Sequence, residues 1–183
     1  MTLDDDFEHV LGLAQAGDEG AISRIYRDLN PAVLRFLSAQ ARDAGEDLAQ
    51  ETWMAVAKSL PSFVGDERAF RGWVFTIARR RLIQLWRTQG RRPSTAVEPD
   101  VLAELSGFEA GPEDAVIGRD AAAELIRGLP EEQAEIILLR VVAGLEAGEV
   151  AEIVGKSAGA VRVLQHRALK RIGQRLAPEA VTP

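Results

Sequence analysis

Cysteine is absent from the 183 residues and histidine occurs twice, at His9 and His166. There is accordingly no disulfide framework, no thiol nucleophile and no zinc site of the cysteine and histidine type. No apolar run approaches the ~20 residues of a membrane span, and the start MTLDDDFEHV is acidic where a signal peptide would be basic. These absences point to a cytoplasmic protein with no membrane insertion. Also missing are a nucleophile beside a base, a phosphate-cradling glycine loop and a metal-ligand cluster, which argues against an enzyme and predicts no cofactor or metal. No strand pattern and no internal repeat is found, so the expected fold class is all-α.

What is present is an ordinary globular mixture, 46% hydrophobic and 27% charged. The formal net charge of −6 argues at first against a nucleic-acid partner. Its distribution reverses that impression. Acids are lacking between Arg68 and Arg92 and again between Ile153 and Pro178, where Lys156, Arg162, Arg167, Lys170, Arg171 and Arg175 are basic. Because screening cuts off fields beyond about 8 Å, the local charge decides whether phosphates are attracted.

The densest stretch runs from Phe70 to Arg92. Phe70, Trp73, Val74, Ile77, Ala78, Leu82 and Leu85 recur at steps of three and four, which predicts one apolar helix face. Arg79, Arg80 and Arg87 fall roughly opposite, where guanidinium groups match phosphate oxygens. A solvated basic face on a core helix is the plainer alternative. Arg81 projects near the middle of the apolar face, so it snorkels, pairs with a carboxylate, or the helix is rotated.

Around this helix the chain reads as a succession of others. Residues 7 to 30 form two segments at helical spacing, the second with Ala21, Ile22, Ile25, Tyr26 and Leu29 as its apolar positions, with Gly17 and Gly20 at the break. Pro31 opens a helix from Ala32 to Ala41. Asp43 is the expected N-cap of Gly45 to Leu60, on which Asp47 and Glu51 share a face beside Gln50. Residues 93 to 118 lose the pattern and read as an acidic linker. Helices are then predicted over Asp120 to Gly128, Glu131 to Val142, Glu146 to Val154 and, capped by Ser157, Ala158 to about Leu176. The last pair, with a Gly155-Lys156 turn between, has the layout of a helix-turn-helix. Val150, Ile153, Val154, Val161, Leu164 and Leu169 would pack it. Arg162, Gln165, His166, Arg167 and Lys170 would face out, and Gly159 and Ala160 would permit close approach to a DNA backbone.

Four motifs in order are EDLAQETW at Glu46, LPSFVGDERAFRGWVFTIARRRL at Leu60, LPEEQAEIILLR at Leu129 and GEVAEIVGKSAGAVRVLQHRALKRI at Gly148. Together they resemble the extracytoplasmic-function RNA polymerase sigma factors of the sigma-70 family. The resemblance implies two small helical domains, region 2 over 1–92 and region 4 over 119–183, joined by the linker 93–118. It implies that Asp47, Gln50, Glu51 and Trp53 contact the β′ coiled coil of core polymerase, with the β flap as a second core partner. Ser62, Phe63, Val64, Gly65 and Asp66 would capture a base of the melted −10 strand, with Phe63 as a loop anchor the plainer view. Arg79, Arg80, Gln84, Arg87, Arg91 and Arg92 would grip the −10 region, and Trp73 reads as core instead of a stacking surface. Family members often carry Asn where Arg80 stands and Asp where Gln84 stands, which puts the −10 preference in question. Ser157, Gly159, Ala160, Arg162, Gln165, His166, Arg167 and Lys170 would meet the −35 element. An anti-sigma factor is a further implied partner. A DNA-binding regulator that ignores polymerase, and a helical adaptor using a sigma-like surface, are the competing readings.

Overall fold

The computed structural model describes residues 6–90 and 118–176. These fall in two compact units, divided between Pro93 and Ser94. Among the described residues there are eight α-helices and no strand.

The first unit holds α1 (Phe7–Gln15), α2 (Glu19–Gln40), α3 (Gly45–Ser59) and α4 (Glu67–Thr88). Gly17, at φ +92°, turns the chain after α1. Asp18 then caps α2, its Oδ1 accepting from Ala21 N at 2.7 Å. The break expected at Pro31 does not occur, for α2 runs through it as one helix. Pro31 is solvent-exposed, so the carbonyl that loses its helical donor there faces water. Ile25, Leu29, Ala32, Val33, Phe36 and Leu37 continue one buried stripe across it, which is what keeps the helix whole. Of the apolar positions of this segment, Ile22 and Tyr26 are exposed, at 40% and 43%. Arg35 is partly buried, which lowers its guanidinium pKa by desolvation while leaving it charged near neutrality.

Asp43 does not cap α3. It lies in a single 3₁₀ turn, Arg42–Ala44, and the N-cap position falls on Ala44, which makes no side-chain cap bond. What fixes this end is contact. A Cβ on Gly45 would lie 2.7 Å from Ser38 Cα, so α2 and α3 approach more closely than any other residue allows.

The buried face of α4 is Phe70, Val74, Phe75, Ala78, Leu82 and Trp86. Relative to the predicted face this is a rotation of roughly 60°, counting 100° per residue. Phe75 and Trp86 enter the core, Phe75 edge-on against Phe36 at 5.5 Å, while Ile77 and Leu85 move to its border. A buried aromatic contributes more area than the aliphatic it replaces, so the bulkier pair sets the rotation. That rotation resolves Arg81. It sits at the edge of the face, its Nη1 3.9 Å from Glu51 Oε2 on α3.

The second unit holds α5 (Arg119–Ile126), α6 (Glu131–Ile137), α7 (Ala147–Val154) and α8 (Ala158–Leu176). The helix expected to Val142 changes character at Leu138. Leu138–Val142 widens into a π turn, with Ala143 N bonding to Leu138 O at 3.1 Å. Ile136, Ile137, Leu138, Leu139, Leu145, Val150 and Val161 form the core of this unit. Ala168 and Ile172 bring α8 onto Ile137.

Candidate nucleic-acid interface

In the first unit the loop between α3 and α4 is held from several sides. Leu60–Ser62 is one 3₁₀ turn, and Phe63 N donates to Leu60 O at 3.1 Å. The Phe63 ring lies 5.1 Å from Phe70 and 5.0 Å from Trp73. Phe63 is thus an anchor, and Trp73 is a half-buried member of the same cluster. Ser62 Oγ donates to Ser59 O at 2.9 Å, while Asp66 Oδ1 accepts from Ala69 N at 2.8 Å as the cap of α4. Gly65 has φ +157°, and a Cβ there would meet Ala69 Cβ at 2.9 Å. Between these restraints Val64 stands 93% exposed. Among the described residues none covers this apolar side chain.

Beyond the loop, Arg80, Gln84 and Arg87 are exposed on α4 at spacings of four and three. They therefore share one stripe. Arg79 is half-buried beside it. Arg91 and Arg92 lie outside the described residues.

On α3, Asp47, Gln50 and Glu51 are exposed along one face, and Met54 continues it at 67% exposure. Trp53 is turned toward α2. Its Nε1 donates to Asn30 Oδ1 at 2.9 Å and its ring meets Tyr26 at 5.0 Å. Met54 adds apolar surface beside the acids, which sequence reasoning overlooked. Met54 was visible as the seventh residue after Asp47, on the same side of the helix.

In the second unit, Gly155 ends α7 in the left-handed conformation, φ +72°. Ser157 caps α8, its Oγ accepting from Ala160 N at 3.1 Å. Gly159, Arg162, His166 and Lys170 then project from α8 on one exposed face, with Arg167 exposed to its side and Ala160 half-buried. Gln165 departs from expectation. It is 7% exposed, and its Oε1 accepts from Arg140 Nε at 3.1 Å. Arg140 also donates from Nη1 to Leu145 O. Gln165 is therefore a packing residue that orients α8, not a group facing DNA. The helical period agrees, for Gln165 lies four residues after Val161 and three before Ala168, both buried, and Arg140 supplies its partner there.

Several basic residues of the acid-free stretch are likewise used internally. Lys156 Nζ pairs with Glu132 at 2.5 Å, and Arg171 Nη1 donates to Gln133 Oε1 at 3.2 Å. Arg175 donates to the carbonyls of Glu124, at 2.8 Å, and Arg127, at the end of α5. These charges brace the unit. Among the described residues no group of acidic or histidine side chains could hold a metal ion, and no helix is long and apolar enough to cross a membrane.

A two-unit helical chain ending in a helix-turn-helix is the architecture of sigma regions 2 and 4, and comparison bears this out. Residues 25–92 match Sigma-70 region 2 and residues 119–172 match Sigma-70, region 4. The ECF RNA polymerase sigma factor ShbA of Streptomyces griseus is 40% identical over 183 residues, covering 92% of this chain and 96% of that one. SigD of Mycobacterium tuberculosis, also an ECF RNA polymerase sigma factor, is 36% identical over 172 residues, covering 89% and 80%. Among solved structures, CnrH in complex with the cytosolic domain of CnrY is similar in fold, with TM-score 0.63, 21% identity and coverage of 91% and 94%. RpoE of Bartonella quintana, in complex with the anti-sigma factor NepR, has TM-score 0.62, 24% identity and coverage of 85% and 98%. The chain belongs to the sigma-70 family, in its ECF class of RNA polymerase sigma factors.

Proposed function

We propose that this sigma factor brings core RNA polymerase to promoters by reading a −35 element with α8 and holding the melted −10 strand with the α3–α4 loop and α4. The observation that carries the reading is the α8 face. Gly159, Arg162, His166 and Lys170 are exposed together at the start and middle of the second helix of a helix-turn-helix, the part that enters a major groove. Arg80, Gln84 and Arg87 supply a second polar stripe suited to a phosphate backbone. The face of Asp47, Gln50, Glu51 and Met54 pairs acids with an apolar side chain, which suits a basic and partly apolar polymerase helix pair. The complex of the similar RpoE with the anti-sigma factor NepR supports control of this chain by an anti-sigma factor.

Run-off transcription with purified core on a library of promoter fragments tests the reading. Initiation at discrete start sites is expected, and no initiation above core alone would sink it. A regulator that ignored polymerase would bind duplex DNA but would not comigrate with core in gel filtration. A helical adaptor would bind core without directing initiation.

The arginine stripe gives a sharper result. Arg80→Ala should reduce the slope of log affinity against log salt by about 0.7 to 0.9, the loss of one phosphate contact. Titration of promoter binding at several salt concentrations measures this. An unchanged slope would return Arg80 to a solvated surface.

A further inference from the structure

Helix α1 precedes the residues matched by the region 2 profile, which begins at residue 25. Its last residue nevertheless reaches the loop. Gln15 Nε2 donates to Leu60 O at 3.0 Å and to Phe63 O at 2.8 Å, across 45 and 48 residues of sequence. A primary amide has two N–H groups, one for each carbonyl.

The Phe63 carbonyl is a consequential one to hold. The peptide that follows it is planar and trans, so the Val64 N–H points opposite to the clamped oxygen, away from α1. Phe63 is therefore restrained by its ring against Phe70 and Trp73, by its N–H on Leu60 O and by its carbonyl on Gln15. On the far side, Gly65 and the Asp66 cap define the exit into α4.

Resting on the reading of this loop as the −10 strand site, we propose that Gln15 is a positioning residue that presets the loop, with Val64 displayed, before DNA arrives. A loop already in its bound shape loses less conformational freedom on binding, which raises affinity without adding a contact.

The test uses the full chain with core polymerase and a promoter that the wild-type holoenzyme selects from a random library. Binding is measured to that fragment with its −10 segment pre-melted, and opening of the duplex form by permanganate reactivity. Gln15→Glu is the informative variant, for at pH 8 it keeps the shape and removes both donors. Gln15→Glu and Gln15→Leu should each weaken binding to the pre-melted fragment about tenfold, the order set by two neutral hydrogen bonds. Gln15→Lys, which restores N–H donors of similar reach, should recover most of it. Binding of the isolated chain to −35 duplex should not change. If Gln15 only fills space, Gln15→Glu will behave as wild type, and the proposal is overturned. Val64→Asp checks the loop reading separately. If Val64→Asp opens promoters normally, the loop is not the −10 site. If Val64→Asp fails while Gln15→Glu is normal, only the clamp is wrong.

Discussion

Replacing Arg140 with methionine is expected to destabilise the second unit by about 3 kcal/mol. The change leaves two acceptors without their donor, Gln165 Oε1 and Leu145 O. Both belong to buried residues, at 7% and 1% exposure. Stranding a buried acceptor costs ~1–3 kcal/mol. In a small unit each kcal/mol moves the midpoint by ~4–8 °C, so a fall on the order of 15 °C should appear in calorimetry of the full chain. A fall of only a few degrees would mean the Arg140 bonds are dispensable. The paired change Arg140→Met with Gln165→Leu should regain part of the loss, because removing both members of a buried pair leaves less unsatisfied than removing one. The same double variant tests the demotion of Gln165. If Gln165 reads bases after all, −35 binding will stay lost even where stability returns.

The second large effect is expected at Gly45. Gly45→Ala would set a Cβ 2.3 Å from Ser38 Oγ and 2.7 Å from Ser38 Cα. The side-chain clash can be relieved by a rotamer change, but the one with Cα requires α2 and α3 to separate. Overpacking of this kind costs ~1–3 kcal/mol, and the backbone contact argues for the upper end. Urea unfolding should show a lower midpoint for Gly45→Ala. Adding Ser38→Ala should not restore it, since the Cα remains. Full restoration would instead mean that the hydroxyl alone fills the gap. On the proposed reading of the Asp47, Gln50 and Glu51 face of α3 as the core contact, core binding should weaken in step.

How much of this was legible in sequence depended on whether a feature is local to one helix. The spacing of Arg80, Gln84 and Arg87, the Ser157 cap and the glycine turn before it follow from neighbouring residues, and all could be read directly. The rotation of α4 could not. A periodic count weighs Ile77 and Leu85 like Phe75 and Trp86, whereas Phe36 on another helix favours the aromatic. Pro31 misled for a similar reason. Its local rule ends a helix, but burial on both sides of an exposed proline overrides that rule. Grouping Gln165 with its exposed polar neighbours overlooks its spacing from Val161, Ala168 and Ile172, which sets it on the buried face. Its partner Arg140, 25 residues away, is what sequence could not show. The Gln15 clamp is still less visible, because a glutamine at a helix end has no distinguishing pattern and its partners are backbone atoms.

Val64 offers a handle of another kind. A chain with no thiol can be given one, and Val64→Cys would create the sole sulfhydryl at a fully solvated tip. Aromatic rings lie close by, with Phe63 next in sequence and Trp73 tilted against Phe63 at 5.0 Å. On the proposed reading of the loop as the −10 site, a fluorophore attached there would report a strand entering the loop as a change in quenching by Trp73, an optical signal from the protein side.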